Sequence, residues 1–191
     1  MTQLKVLRAA DYARMPWKNG GGSTEEITRD TGEGLEGFGW RLSIADISES
    51  GGFSSFAGYQ RIITVLQGAG MTLRVDGRVT RALLPLDAFA FSGASQVGCA
   101  LLDGPIRDFN LIYAPDRFRA RLQWLDGGQQ RLFSSADVVL VFSVADQLHV
   151  GLGNTGYELL GRHDCLQIDG NLELQELALT GHCCVIELTA V

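Results

Sequence analysis

Apolar and polar residues alternate along this chain in short runs, and glycines close the runs. WRLSIADI (Trp40 to Ile47), RIITVLQG (Arg61 to Gly68), MTLRVDG (Met71 to Gly77), DAFAFSG (Asp87 to Gly93) and VGCALLDG (Val97 to Gly104) are rich in β-branched and aromatic residues. That is the pattern of strands with one buried face. DFNLIYA, VVLVFSV, QLHVGLG, DCLQIDG and HCCVIELTAV carry the series towards the end of the chain. Helical spacing is confined to brief stretches at Ala10 to Arg14 and Pro115 to Phe118. Many short strands at even spacing predict an all-β chain, an antiparallel sandwich or barrel.

The pattern occurs twice. IITVLQGAGMTLRVDG, from Ile62, lies over VVLVFSVADQLHVGLG, from Val138, and LLPLDAFAFSG (Leu83 to Gly93) lies over LLGRHDCLQIDG (Leu159 to Gly170). Within the second match Asp87 faces Asp164, Phe91 faces Ile168 and Gly93 faces Gly170, so the order of residue types matches as well as their hydrophobicity. Strand, glycine, strand, apolar-Pro-x-Asp turn and Phe-Ala-Phe resemble one half of a cupin. The expected fold is two tandem cupin (RmlC-like jelly-roll) barrels in one compact chain. Residues 1–115 would form a barrel with a ligand pocket, and 116–191 a degenerate barrel completing the unit. Metal-binding cupins need His-x-His and a Glu after the first glycine. This chain has only His149, His163 and His182, scattered through the second copy. No metal and no cofactor are expected, and the histidines read as surface or structural residues.

Composition narrows the partners. A formal net charge of −6 argues against a protein that grips nucleic-acid backbones, which relies on a basic surface. No apolar run approaches the ~20 residues of a membrane span, and the amino terminus lacks a signal-peptide core, so a cytoplasmic location and no membrane partner are expected. Cys99, Cys165, Cys183 and Cys184 lack the spacing of zinc or redox motifs and read as buried thiols.

Candidate chemistry lies in the first half, around PWKNGGGSTEEI (Pro16 to Ile27). The three glycines do not make a phosphate loop, because the lysine precedes them and no apolar strand leads in. Arg61 follows a Gly- and aromatic-rich loop and could hold a carboxylate bidentately, or lie paired on the surface. Parity puts Arg41, Ser43 and Ala45 on one face of their strand and Trp40, Leu42 and Ile44 on the other; Asp108, Asn110 and Ile112 likewise share a face. Which face lines an interior is not fixed by parity. Glu25 and Glu26 point to opposite faces and read as a solvated edge. The serines Ser23, Ser43, Ser54 and Ser55 have no histidine nearby in sequence, which leaves nucleophilic catalysis without support.

PWKNGGGSTEEI, WRLSIADI, GGFSSFAGYQRIITVLQGAG and GPIRDFNLIYA, in this order between Pro16 and Ala114, resemble the HutD/Ves family of bacterial histidine-utilisation proteins. The resemblance implies a two-cupin fold, no established catalytic activity, and a restraining role in histidine utilisation through binding of N-formylglutamate or urocanate. Carried over, the ligand-binding residues are Trp17, Lys18, Asn19, Arg41, Arg61, Asp108 and Asn110. A strap through Lys18 and Asn19 would cross the open end of the first barrel, and Asn19 and Asn110 would read an amide or formyl group. The alternative is a metal-free cupin isomerase or hydrolase acting on a small organic acid. Exposed sheet edges would suit a homodimer.

Overall fold

The computed structural model describes residues 2–153, 156–171 and 173–191. Its strands are β1 (Gln3–Leu7), β2 (Ala13–Pro16), β3 (Gly22–Arg29), β4 (Trp40–Ile47), β5 (Gly51–Gly52), β6 (Gln60–Gln67), β7 (Met71–Val75), β8 (Arg78–Val79), β9 (Phe89–Ser92) and β10 (Val97–Leu101). There follow β11 (Ile106–Tyr113), β12 (Phe118–Leu125), β13 (Gln129–Ser134), β14 (Val138–Ser143), β15 (Leu148–Leu152), β16 (Gly156–Leu160), β17 (Cys165–Asp169), β18 (Gln175–Thr180) and β19 (Cys183–Ala190). Among the described residues the one helical element is a 3-10 turn at Ala9–Asp11. The second helical stretch expected, around Pro115 to Phe118, is a turn that runs into β12.

The chain divides into two units. One is Ala13–Arg117; the other joins the segment up to Tyr12 with Phe118–Val191. The first unit contains a six-stranded sheet in the order β2-β3-β4-β11-β6-β9 and a four-stranded sheet β5-β10-β7-β8. In the second unit the orders are β1-β17-β14-β19-β12 and β13-β18-β15-β16. Read from the other end, β12-β19-β14-β17 repeats β4-β11-β6-β9, and the four-stranded sheets correspond strand for strand. The duplication visible in the sequence is therefore a duplication of strand order, with β6 over β14 and β9 over β17.

Each unit has its own core between its two sheets. In the first, Ile47, Ile63 and Val65 of the larger sheet meet Met71, Leu73 and Val97 of the smaller. In the second, Val139, Val141 and Val185 meet Val150, Leu177 and Leu179. Alternation explains the choice, since every second residue of a strand reaches the same side. Cys165, Cys183 and Cys184 are fully buried, and burial pushes their thiols up, that of Cys183 to about 12, so they behave as small apolar residues. His163 is also structural: it is buried, its ring stacks on Phe142 at 5.5 Å, and its carbonyl accepts from the Tyr12 hydroxyl at 2.8 Å.

Residues 2–12 belong with the second unit, whereas the sequence reading grouped them with residues up to 115. β1 pairs antiparallel with β17, Gln3 opposite Asp169 through Leu7 opposite Cys165. Beyond it, Asp164 accepts from Arg8 at 2.7 Å, from the Ala9 N–H at 2.8 Å and from the Gly161 N–H at 2.9 Å. Pairing across such a separation leaves no local signal in the sequence. Burial raises the Asp164 pKa, but the bonds from Ala9, Arg8 and Gly161 outweigh it and hold the carboxyl below its ordinary value. Asp164→Ala is expected to cost roughly 1.5–3 kcal/mol in urea denaturation, the usual range for hydrogen bonds to a charged group. Because the folded pKa is depressed, this stabilisation is present above the ordinary carboxylate pKa of about 3.9 and is lost as pH falls through the folded value.

Candidate functional site

The register of the six-stranded sheet sets out the site in rows. Ile112 of β11 lies between Arg41 of β4 and Arg61 of β6; Asn110 lies between Ser43 and Ile63; Asp108 lies between Ala45 and Val65. These residues share one face, and that face lines a cavity of about 620 Å³ within the first unit. The question left open by parity is thus resolved. Arg41, Ser43 and Ala45 look into the cavity, and Trp40, Leu42 and Ile44 are buried on the opposite side.

The mouth is formed by the tip of the β2–β3 hairpin. Trp17, Lys18 and Asn19 line the cavity there, so all seven residues singled out in the sequence border one space. The glycine-rich stretch is a turn at this tip instead of a strap across the opening. The Trp17 N–H bonds to the Gly22 carbonyl at 2.9 Å, the Gly20 N–H to the Trp17 carbonyl at 3.1 Å, and the Ser48 N–H holds the Gly21 carbonyl at 3.0 Å. The Trp17 indole N–H donates to Thr24 Oγ1 at 2.8 Å. Asn19 Oδ1 accepts from the Gly21 N–H at 3.1 Å, so its amide N–H₂ is not used in that turn bond. Lys18 and Asn19 are exposed, as residues at an entrance must be.

The two arginines differ. Arg41 is 3% exposed and its Nε donates to Glu26 at 2.7 Å; Glu26 also takes Arg29 bidentately. Burial raises the Glu26 pKa, but Arg29 and Arg41 more than offset this and hold the carboxyl low. The glutamate pair is therefore not the solvated edge expected: Glu26 points inward to these arginines, and Glu25 points outward to Arg14 and Arg107, which also pair with Asp46. Glu26 lies opposite Ser43, one row from Arg41, and a bulge between Glu26 and Thr28 sets Arg29 opposite Arg41.

Arg61 has no such partner. It is 5% exposed, donates to the Ser54 carbonyl at 3.2 Å, and its Nε is buried without a hydrogen-bond partner. Three rings surround the guanidinium, Phe53, Phe56 and Phe91, with centroids at 5.5, 5.3 and 5.1 Å. Ring faces attract a cation but supply no acceptor lone pairs. Burial pulls the Arg61 pKa down to about 10, against a partly compensating attraction from Asp108. Asp108 itself is 1% exposed and its Oδ1 has no hydrogen-bond partner; burial pushes its carboxyl up to about 7. Asn110 Oδ1 is likewise buried and unpartnered. A cation and two polar side chains with unmet bonding capacity thus face one cavity whose remaining wall includes Phe53, Phe56 and Ile112. Among the described residues, no group of three or more His, Cys, Asp or Glu is placed to hold a metal ion.

Comparison with known proteins adds the lineage. The family model HutD matches residues 9–185. The chain belongs to the HutD family. It is 66% identical over 188 residues to a 21.2 kDa protein of the hutC 3′ region of Pseudomonas putida, covering 98% of each chain. It is 36% identical over 148 residues to protein Ves of Citrobacter koseri, 72% of this chain and 74% of that one. The structure of HutD from Pseudomonas fluorescens SBW25, determined in a formate condition, superposes with a TM-score of 0.91 at 69% identity, over 99% of this chain and 100% of that one. The fold is cupin-like: protein Ylba of Escherichia coli matches with a TM-score of 0.70 at 10% identity, over 99% of this chain and 91% of that one.

Sequence reasoning missed the surroundings of the arginines in this HutD-family chain. Phe91 lies thirty positions from Arg61 and reaches it only because β9 pairs with β6, Arg61 opposite Phe91. The aromatic residues of GGFSSFAG, noted only as a loop signature, supply the other two rings.

Proposed function

We propose that the cavity binds a small organic anion without catalysing its conversion, and that through this the protein modulates histidine utilisation in the cytoplasm. N-formylglutamate and urocanate are the candidate ligands. The observation that carries the reading is Arg61, a buried guanidinium that among the described residues donates to one backbone carbonyl, in a cavity that also holds Asp108 Oδ1 and Asn110 Oδ1, each without a partner among those residues. A buried charge with few partners is costly alone and gains strongly from a counter-ion. Arg61 would take the carboxylate, the Asn19 amide would donate to an amide or formyl oxygen, and Asn110 Oδ1 would accept an N–H. Kinship with a protein of the hutC 3′ region supports the histidine-utilisation context. Exposed sheet edges leave a homodimer as a compatible assembly.

A thermal-shift series with histidine, urocanate, N-formylglutamate, formiminoglutamate and glutamate tests this. A specific ligand at a hundred times its Kd is expected to add about 2.7 kcal/mol of stability. No shift with any of them would remove the reading. One observation favours a second reading, a metal-free isomerase or hydrolase of a small acid. Asp108, raised to about 7, is poised as a general base requires. Product analysis of any ligand that binds separates the two.

A further inference from the structure

We propose that Asp108 decides which charge the cavity accepts, taking up a proton as an organic anion seats against Arg61 and then meeting it as a neutral acid. The inference rests on the anion-binding reading and adds a linked proton to it. Its basis is a count of charges inside the cavity. Among the described residues, Asp108 is the carboxyl in the field of Arg61, Arg41 is a repelling neighbour, and no carboxylate is hydrogen-bonded to Arg61. Arg41 is already held by Glu26, and Arg29, the other partner of Glu26, is also faced by Asp30 and Glu33. An incoming carboxylate on Arg61 therefore sets a second anion beside Asp108 at the same guanidinium, deep in a cavity whose other cations, Arg41 and Lys18, are bound to Glu26 or stand at the mouth. Like charges sharing such a site cannot both stay ionised, and the weaker acid takes the proton.

The neighbours of Asp108 divide. Burial and Asp46 of β4, on the far face of the sheet, disfavour its charge, while Arg61 of β6 and a backbone hydrogen bond from Ala45 of β4 favour it; Val65 of β6 flanks it. The Cys99 thiol of β10 lies within its field, Arg107 on its own strand is engaged by Glu25, and Lys18 stands at the exposed mouth. Asp108 thus has one cation to share, and a ligand anion competes for it. Protonated, its carboxyl becomes a donor aimed into the cavity, where it was a repelling charge. The carboxyl already lies near neutrality without ligand, so the proton is available at ordinary pH.

The sign follows from linkage. A pKa higher in the complex than in the free protein makes binding strongest below the free value, and affinity falls by up to tenfold per pH unit as pH rises between the two values. Titration calorimetry with N-formylglutamate and with formate, acids fully ionised above about pH 6, is to be run in two buffers of different ionisation heat. The wild type is expected to take up close to one proton per ligand at about pH 8 and to lose about tenfold or more in affinity from pH 6 to pH 8.5. Asp108→Asn, which keeps a donor but cannot titrate, is expected to bind with a flat pH profile and more tightly than the wild type at the alkaline end. A merely structural role would instead weaken the variant at every pH. Should the variant fail to fold, proton uptake by the wild type decides alone. Binding without proton uptake overturns the inference and leaves the proposed function standing. No binding of either probe at any pH, with no shift in the thermal series, overturns both.

Discussion

Arg61→Ala is expected to weaken capture of a small carboxylate by at least ~2 kcal/mol, about thirtyfold in Kd, because truncating one side of a buried charge pair leaves the other without its partner. The geometry sharpens the expectation. Arg41 cannot substitute, since Glu26 engages its Nε and Ile112 separates the two arginines in the sheet. Lys18 stands at the entrance, where water screens it. Loss of Arg61 also deprives Asp108 of its cation, and the carboxyl is expected to titrate higher still. Arg61→Lys keeps a charge and loses the planar fork that three phenyl rings enclose, so its deficit should remain substantial. Calorimetry on folded variants, with melting temperature recorded in parallel, checks both. Equal affinity in wild type and Arg61→Ala would remove Arg61 from the account.

The second large effect is expected at Gly22. A β-carbon there would collide with the Asp46 carbonyl and come within 3.0 Å of the Trp17 ring, and neither can move freely. The Asp46 carbonyl is backbone of β4, held between β3 and β11 with Asp46 opposite Ser23 and Arg107, and the Trp17 indole is hydrogen-bonded to Thr24. Overpacking of this kind typically costs about 1–3 kcal/mol, and the displaced Trp17 would carry Lys18 and Asn19 with it. Gly22→Ala should therefore lose both stability and ligand binding. Its neighbours provide internal comparisons. Gly20 has φ of +75° and open space around it, so alanine there is strained by the backbone alone, about 1 kcal/mol. At Gly21 the nearest atom to an added β-carbon is Asn19 Oδ1 at 3.5 Å, an ordinary contact, and alanine should be tolerated. Urea midpoints in the order Gly21, Gly20, Gly22 from least to most damaging are expected; a Gly22→Ala protein as stable as Gly21→Ala would refute the packing argument.

How much of this was legible beforehand depends on the range of the interactions. Strands were readable because alternation is local, and WRLSIADI is β4 to the residue. The duplication was readable because strand order and glycine-closed turns recur in series. The clustering of Trp17, Lys18, Asn19, Arg41, Arg61, Asp108 and Asn110 around one space followed from motifs, yet their individual states did not. That Glu26 binds both Arg41 and Arg29 while Arg61 has no carboxylate bonded to it depends on strand pairing, including a bulge after Glu26 that sets Arg29 opposite Arg41. Nothing in TEEITR marks it. The pairing of β1 with β17 and the reach of Phe91 to Arg61 are likewise decided by sheet pairing across long separations. The fate of Glu26 was misjudged for the same reason: adjacency in sequence fixed its direction, but its partners came from other strands.

The duplicated strand order carries one more consequence. Asn110 and Asp108 face Ile63 and Val65 in their sheet, and Glu187 and Val185 hold the same slots opposite Val139 and Val141 in theirs. One frame thus supports two interiors, with an aspartate beside a cavity in one and a valine within an apolar core in the other. Side chains lining the cavity can be exchanged for others of different chemistry while the apolar core keeps its packing, which makes this architecture a natural starting point for retuning what it captures.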